Sequence, residues 1–126
     1  MEKFLLYAAI NGLLVVTFGA FGAHGLEKIL SDASFGAWNT AVLYQMFHVP
    51  ALILSGLLCY IFPASKSFNR SGFSFQTGIV LFSGSLYLFA LTGIRFFVYI
   101  VPLGGAVFLI GWGLIIYGLI LSNSKS

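Results

Sequence analysis

The chain has few charged residues. They make up 7% of its 126 residues, with six Lys or Arg and three Asp or Glu. A soluble domain typically has about a quarter of its residues charged. Hydrophobic residues make up 60% of the chain, and a soluble domain of this length has too little interior to bury them. The composition therefore excludes an ordinary soluble domain and predicts a membrane protein.

Cysteine is almost absent as well. Cys59 is the single cysteine and lies within an apolar run, which excludes an intramolecular disulfide and favours a buried structural thiol. The long apolar runs contain no Asp or Glu. A metal site there would have no carboxylate ligand, and an acylating serine would have no acid to orient its base. We therefore expect no metal, no cofactor, no catalytic residue and no enzymatic activity.

Four long apolar stretches occupy most of the chain. About 20 residues of α-helix cross the hydrocarbon core of a bilayer. The sequence therefore predicts one all-α domain over residues 1–126, an antiparallel bundle of four transmembrane helices with a short interfacial helix between helices one and two. The predicted spans are about 4–23, 40–62, 73–92 and 97–121, with a hydrophilic loop over residues 63–72. Because Met1-Glu2-Lys3 has no positive excess, we interpret the first stretch as a span and not as a cleaved signal peptide.

The basic residues predict an orientation. The formal net charge of +3 is too small and too dispersed for a nucleic-acid partner. In a four-helix topology the side of the termini has more basic residues than the other side, which favours termini in the cytoplasm or in the equivalent compartment. The first side holds Lys3, Lys66, Arg70 and Lys125, and the second holds Lys28 and Arg95.

Small residues mark the expected helix contacts. Lipid tails are as apolar as leucine, so close backbone packing and polar contacts drive helices together in a membrane. Two glycine faces, in the fourth and first stretches, are therefore expected to form close contacts. They comprise Gly104, Gly111 and Gly118, and Gly12, Gly19 and Gly22.

Polar residues follow one face of the second stretch and one face of the third. Trp38, Ala41, Gln45, His48, Leu52 and Ser55 alternate at steps of three and four, as residues on one helix face do. Unpartnered polar groups are costly in hydrocarbon, so these faces are predicted to form a polar seam inside the bundle. The candidate seam residues are Tyr44, Gln45, His48, Gln76, Ser83 and Tyr87. The first stretch contributes one strongly polar residue, Asn11, and we expect the seam to concentrate on helices two and three.

Four strings in this sequence resemble one known family. They are GAFGAHGL at 19–26, WNTAVLYQMFH at 38–48, LFSGSLY at 81–87 and PLGGAVFLIGW at 102–112. In that order they resemble the family called domain of unknown function 423, which includes transmembrane protein 256-like proteins. The resemblance implies a small polytopic membrane protein of bacteria, with mitochondrial relatives, and thus a location in a bacterial cytoplasmic membrane. It implies no reaction and no catalytic residues.

The two histidines are the candidates for chemistry. His24 is placed near the outer end of helix one, and His48 about 12 Å deep in helix two, so the two rings are not expected to bind one metal ion. His48 either lines an ion or proton pathway or is a neutral ring bonded to Gln45, Tyr87 or a backbone carbonyl. His24 is predicted to form an interfacial site with Glu27, or to bridge the turn to the nearby Asp32.

Three hypotheses for function remain open at this point. In the first, the protein acts by association, as a homo-oligomer or as an accessory subunit of a membrane complex. In the second, it is an oligomeric transporter or channel for protons or small solutes, with Gln45 and His48 along the route and Tyr44 as a gate. In the third, a lipid or quinone binds between the helices against Tyr87 and Trp112.

Overall fold

Residues 1–124 are described by a computed structural model, and in this range the chain is helical apart from short turns, with no β-strand. Four helices are long and apolar enough to cross a membrane: α1 (Glu2–His24), α2 (Asp32–Ile61), α3 (Lys66–Thr92) and α4 (Phe96–Ser124). The predicted fold class, an antiparallel bundle of four transmembrane helices, is confirmed. Lys125, which was assigned to the side of the termini, lies outside the described residues.

The connection between α1 and α2 is shorter than the sequence suggested. The expected interfacial helix is a single 3₁₀ turn, Leu26–Lys28. Helix α2 then begins at Asp32, eight residues before the predicted start at Thr40. Its start is capped, because the Ser31 hydroxyl accepts a hydrogen bond from the backbone N–H of Ser34 at 3.2 Å. Such a cap satisfies one of the N–H groups that a helix start leaves unpaired.

The predicted loop over residues 63–72 is wrong after Ser65, because α3 already begins at Lys66. The serines and glycine that resembled a loop are packing positions. The Ser71 hydroxyl donates to the Phe68 carbonyl at 2.7 Å and lies 2.8 Å from the hydroxyl of Ser55 in α2. Gly72 lies against the ring of Phe4, and a Cβ there would be 2.5 Å from it.

Helix α3 changes its winding near its middle. Residues Ile79–Gly84 form a π-helical segment, in which each turn holds more residues than in an α-helix. Helix α4 approaches this segment closely, and a Cβ added to Gly104 would lie 2.5 Å from the backbone nitrogen of Phe82. The backbones of α3 and α4 therefore meet at this point without an intervening side chain.

The glycine face of α4 packs against phenylalanines of α3. Gly104, Gly111 and Gly118 face Phe82, Phe75 and Phe68, and both series repeat every seven residues. A Cβ at Gly111 or at Gly118 would lie 2.7 Å from the facing ring. The two helices are antiparallel, so each glycine leaves a gap at the level of one phenylalanine. The rings of Phe75 and Phe68 and the backbone of Phe82 occupy these gaps.

The glycines of α1 are less uniform. A Cβ at Gly22 would lie 2.8 Å from the Trp38 ring, whereas one at Gly19 would make an ordinary contact of 3.6 Å with Val42. The expectation of a close contact is wrong for Gly12, where a Cβ would meet nothing within 4 Å. The buried face of α1 instead includes Asn11, and the next residue along a helix points about 100° away from it.

Candidate functional site

The polar seam contains a continuous chain of side-chain hydrogen bonds across three helices. The Tyr87 hydroxyl of α3 donates to Oε1 of Gln45 in α2 at 2.7 Å. The Gln45 amide donates to Oδ1 of Asn11 in α1 at 3.0 Å. The Asn11 amide in turn donates to Oε1 of Gln76 in α3 at 2.8 Å and to the Tyr7 carbonyl at 2.8 Å. We call Tyr87, Gln45, Asn11 and Gln76 the hydrogen-bond chain.

Asn11 is the member of this chain that the sequence analysis did not select. It is 4% exposed, and both ends of its amide group bond to other helices. The available signal was its position as the one strongly polar residue of an apolar stretch, since such a residue in hydrocarbon requires partners. The seam therefore includes α1 and does not concentrate on α2 and α3 alone.

His48 lies outside the hydrogen-bond chain and has both ring nitrogens occupied. The Trp112 indole N–H donates to its Nε2 at 3.1 Å, and its Nδ1 lies 2.8 Å from the Tyr44 carbonyl. An indole N–H only donates and a carbonyl only accepts. These partners therefore assign the ring proton to Nδ1 and make His48 a neutral imidazole.

Aromatic rings enclose His48. Its ring stacks on Phe108 with centroids 3.7 Å apart and planes 5° from parallel. Phe47, Phe75 and Trp112 surround it at centroid distances of 5.2 to 5.9 Å, and the residue is 3% exposed. A second ring proton would remove the acceptor that Trp112 uses, in surroundings that offer no charged partner.

Two further side chains of the seam faces donate to a backbone carbonyl of a neighbouring helix. The Ser83 hydroxyl donates to the Ala41 carbonyl at 2.8 Å, and the Trp38 indole donates to the Phe18 carbonyl at 2.9 Å. Among residues 1–124 every fully buried side-chain nitrogen or oxygen has a hydrogen-bond partner. The seam is thus a set of closed contacts between helices.

Tyr44 lies on the outside of the bundle. Its side chain is 40% exposed, and its ring rests 4.4 Å from that of Phe82. It follows the start of α2 by twelve residues, about 18 Å along the helix axis and close to its middle. Its hydroxyl has no hydrogen-bond partner in the part of the chain that the structure describes. Tyr44 is therefore not part of the seam inside the bundle, and its role as a gate in an oligomeric channel stays a prediction.

The interfacial site expected at His24 is not formed. His24 and Glu27 are both exposed, and up to Ser124 neither side chain makes a hydrogen bond or ion pair, with Asp32 or any other residue. The tight 3₁₀ turn leaves these side chains facing outward. Nor does any group of three His, Cys, Asp or Glu side chains converge among the described residues.

One family model and several bacterial membrane proteins match this chain. The model of a family described as protein of unknown function DUF423 matches residues 18–105. A UPF0382 membrane protein of Staphylococcus epidermidis is 45% identical over 112 residues, covering 89% of this chain and 90% of the relative. The UPF0382 membrane protein YwdK of Bacillus subtilis is 42% identical over 92% of this chain and 94% of its own length.

A third bacterium has a relative that is also described as a membrane protein. The UPF0382 inner membrane protein YgdD of Escherichia coli is 41% identical over 121 residues, covering 96% of this chain and 92% of the relative. No solved structure matches this chain. The resemblance inferred from the four sequence strings is confirmed.

Proposed function

This chain belongs to the DUF423 family of small bacterial membrane proteins, and from that premise and the geometry above we propose that it acts by association with a second copy of itself. Catalysis is not part of the proposal. The interface is the outer face of α2 around Tyr44, and the resulting homo-oligomer is the form that functions, alone or within a larger membrane complex.

The closed interior supports a function at the lipid-facing surface. Gln45, Asn11 and Tyr87 bond to one another, and His48 bonds to Trp112 and to a backbone carbonyl. Each of these groups would have to break a contact between helices in order to bind a solute. On the outer surface the Tyr44 hydroxyl makes no hydrogen bond within residues 1–124 that binding would have to break.

The Tyr44 hydroxyl is the observation that carries the proposal. A polar group that faces hydrocarbon without a partner is unfavourable, and it gains a partner when two helices associate. A hydroxyl both donates and accepts, so two Tyr44 side chains related by a two-fold axis can bond to each other. Phe47, 61% exposed and one turn further along α2, extends the same face with apolar contact area.

Transport and ligand binding are less well supported than association. A route along Gln45 and His48 would pass through side chains that are 3% exposed. A quinone or lipid packed on Tyr87 and Trp112 would compete with the hydrogen bonds that these two residues make to Gln45 and His48.

The location is part of the proposal. The Escherichia coli relative is described as an inner membrane protein, which supports a cytoplasmic membrane here. Lys3, Lys66 and Arg70 lie at the end of the bundle that holds Met1, whereas Lys28 and Arg95 lie at the other. This excess supports termini in the cytoplasm.

Oxidative crosslinking in native membranes tests the interface. In a Cys59→Ser background, Phe47→Cys should give a disulfide-linked dimer, because its side chain lies beside Tyr44. Met46→Cys is the matched control, since Met46 is 51% exposed at the same depth but points about 100° away from Phe47. Adding Tyr44→Phe to the Phe47→Cys variant should reduce the dimer. Equal crosslinking at the two positions, or only monomer at both, would contradict the proposal.

A further inference from the structure

A cavity at the end of the bundle near Met1 combines basic, polar and apolar walls. It lies between the start of α3, the turn that precedes it and the end of α4. The residues on which the argument rests are Lys66, Ser67, Arg70, Tyr117, Leu121 and Ser122. None of them belongs to the polar seam or to the face around Tyr44.

The basic wall of the cavity is the first turn of α3. Lys66 and Arg70 are four residues apart and so lie on one helix face. The first turn contains no acidic residue, and the Ser65 side chain makes no capping hydrogen bond. Backbone N–H groups at a helix start lack partners within the helix and attract anions, above all phosphate. Neither Lys66 nor Arg70 makes an ion pair within residues 1–124.

Ser67 provides a hydrogen-bond donor in the same cavity. It is 8% exposed and lines this cavity, yet its hydroxyl has no hydrogen-bond partner among the described residues. Ser71, one turn later, shows the usual alternative, because its hydroxyl donates to the Phe68 carbonyl at 2.7 Å. Because every fully buried side-chain oxygen among residues 1–124 has a partner, the Ser67 hydroxyl keeps accessible surface. An anionic oxygen in the cavity that Ser67 lines would accept its proton.

The opposite wall of the cavity is apolar and open to lipid. Tyr117 and Leu121 of α4 are 57% and 38% exposed on the helix surface. They continue from the basic end of the cavity towards the hydrocarbon region. A ligand that fills both halves has an anionic head and an apolar tail.

We propose that this cavity binds an anionic phospholipid. The phosphate accepts hydrogen bonds from Arg70, Ser67 and the first N–H groups of α3, with Lys66 beside it. The acyl chains lie along Tyr117 and Leu121. This site is separate from the α2 interface, so a failure of one proposal leaves the other intact.

Native mass spectrometry of the full-length protein tests this site. The protein is released from nanodiscs of phosphatidylcholine that contain a minor fraction of phosphatidylglycerol, and the retained lipid is identified. Phosphatidylglycerol should be retained in preference to phosphatidylcholine. The Lys66→Gln/Arg70→Gln variant should lower its retention by about tenfold, because charge-assisted hydrogen bonds are lost. Ser67→Ala should lower it by a smaller factor.

The Lys28→Gln/Arg95→Gln variant is the matched control, because it removes the same charge at the opposite end of the bundle. It should retain phosphatidylglycerol like the parent, and thermal unfolding of each variant shows that the fold is kept. Three results would overturn the proposal: an equal loss in both double variants, no preference over phosphatidylcholine, or binding of soluble glycerol 1-phosphate as tight as that of the lipid. The last result would assign the site to a free phosphate ester.

Discussion

The side of the α2–α3 pair that packs against α1 differs from the side that packs against α4 in the chemistry of its contacts. On the α1 side, Asn11 bonds to Gln45 and to Gln76 through its side-chain amide. On the α4 side, phenylalanine rings of α3 fill gaps above glycines, and one indole–imidazole bond joins Trp112 to His48. Hydrocarbon offers no hydrophobic drive for either contact. Bonds between side-chain amides occur on the α1 side and a series of Phe–Gly contacts on the α4 side, while Phe4 also packs on Gly72 and the Ser74 hydroxyl also donates to the Val107 carbonyl of α4 at 2.6 Å.

The two sides should therefore differ in what they tolerate. Backbone contact leaves no room for an added atom, because packed interiors relax only partly around a larger residue. A hydrogen-bonded pair tolerates a change of size better than the loss of one partner, which leaves the other buried and unsatisfied. Four measurements distinguish a contact held by close packing from one held by hydrogen bonds.

The largest effect is expected on the α4 side. Gly104→Ala should lower the free energy of unfolding by about 3 kcal/mol, because the new Cβ would meet the Phe82 backbone, which cannot move aside as a side chain can. Gly113→Ala is the control in the same helix, since a Cβ there meets nothing within 4 Å. Unfolding in mixed detergent micelles measures both. Similar losses in the two variants would contradict close packing of α4 on α3.

The hydrogen-bond chain should give the next effect. Asn11→Leu removes the central amide and leaves Gln45 and Gln76 each without one partner, which should cost about 2 kcal/mol. Thr17→Val in the same helix should cost far less, because the exposed Thr17 bonds only to the Leu13 carbonyl one turn earlier. The same unfolding assay compares them. If Asn11→Leu proves as mild as Thr17→Val, the chain does not hold α1.

A smaller effect is expected at His48. Trp112→Phe keeps a ring beside Phe75 but removes the indole N–H that donates to Nε2 of His48, which should cost about 1 kcal/mol. The ring NMR signals of His48 should shift as Nε2 loses its donor, while Gln45 and Asn11 keep their amide signals. Unchanged His48 signals would show that Nε2 does not accept the indole proton.

The smallest expected effect is the energetic coupling between a mutation on the α1 side and one on the α4 side. Tyr87→Phe and Trp112→Phe act on different partners and share no hydrogen bond, so their effects should add to within about 0.5 kcal/mol. Tyr87→Phe and Asn11→Leu both act on Gln45 and should couple measurably. A double-mutant cycle on each pair provides the numbers. Strong coupling of Tyr87 with Trp112 would mean that the two sides form one network.

Hydropathy was sufficient to place the helices, because the length and composition of each stretch determine whether it crosses a bilayer. It was not sufficient to place their ends. Ser67, Ser71 and Gly72 resemble loop residues, yet they lie in α3 because small residues mediate helix contacts in membranes. The π-helical segment Ile79–Gly84 left no pattern in the sequence from which it could be predicted.

The sequence predicted those site residues that share one face of a single helix. Gln45 and His48 lie on the stripe of α2, and both are buried. Their partners Asn11 and Trp112 were not predicted as partners, because pairing depends on how neighbouring helices are rotated about their axes. Tyr44 sits one turn before His48 at the edge of the same stripe, and in the folded bundle its side chain is 40% exposed.

Self-association through Tyr44 is tested most directly by energy transfer between labelled copies in phosphatidylcholine vesicles at increasing dilution. Transfer in the parent should persist to lower protein density than in Tyr44→Phe, whose half-point should lie at about fivefold higher density because one hydrogen bond in the membrane is lost. Tyr60→Phe, at a ring that is 70% exposed near the end of α2, should match the parent. Identical curves for the parent and Tyr44→Phe, or no transfer at any density, would contradict the account.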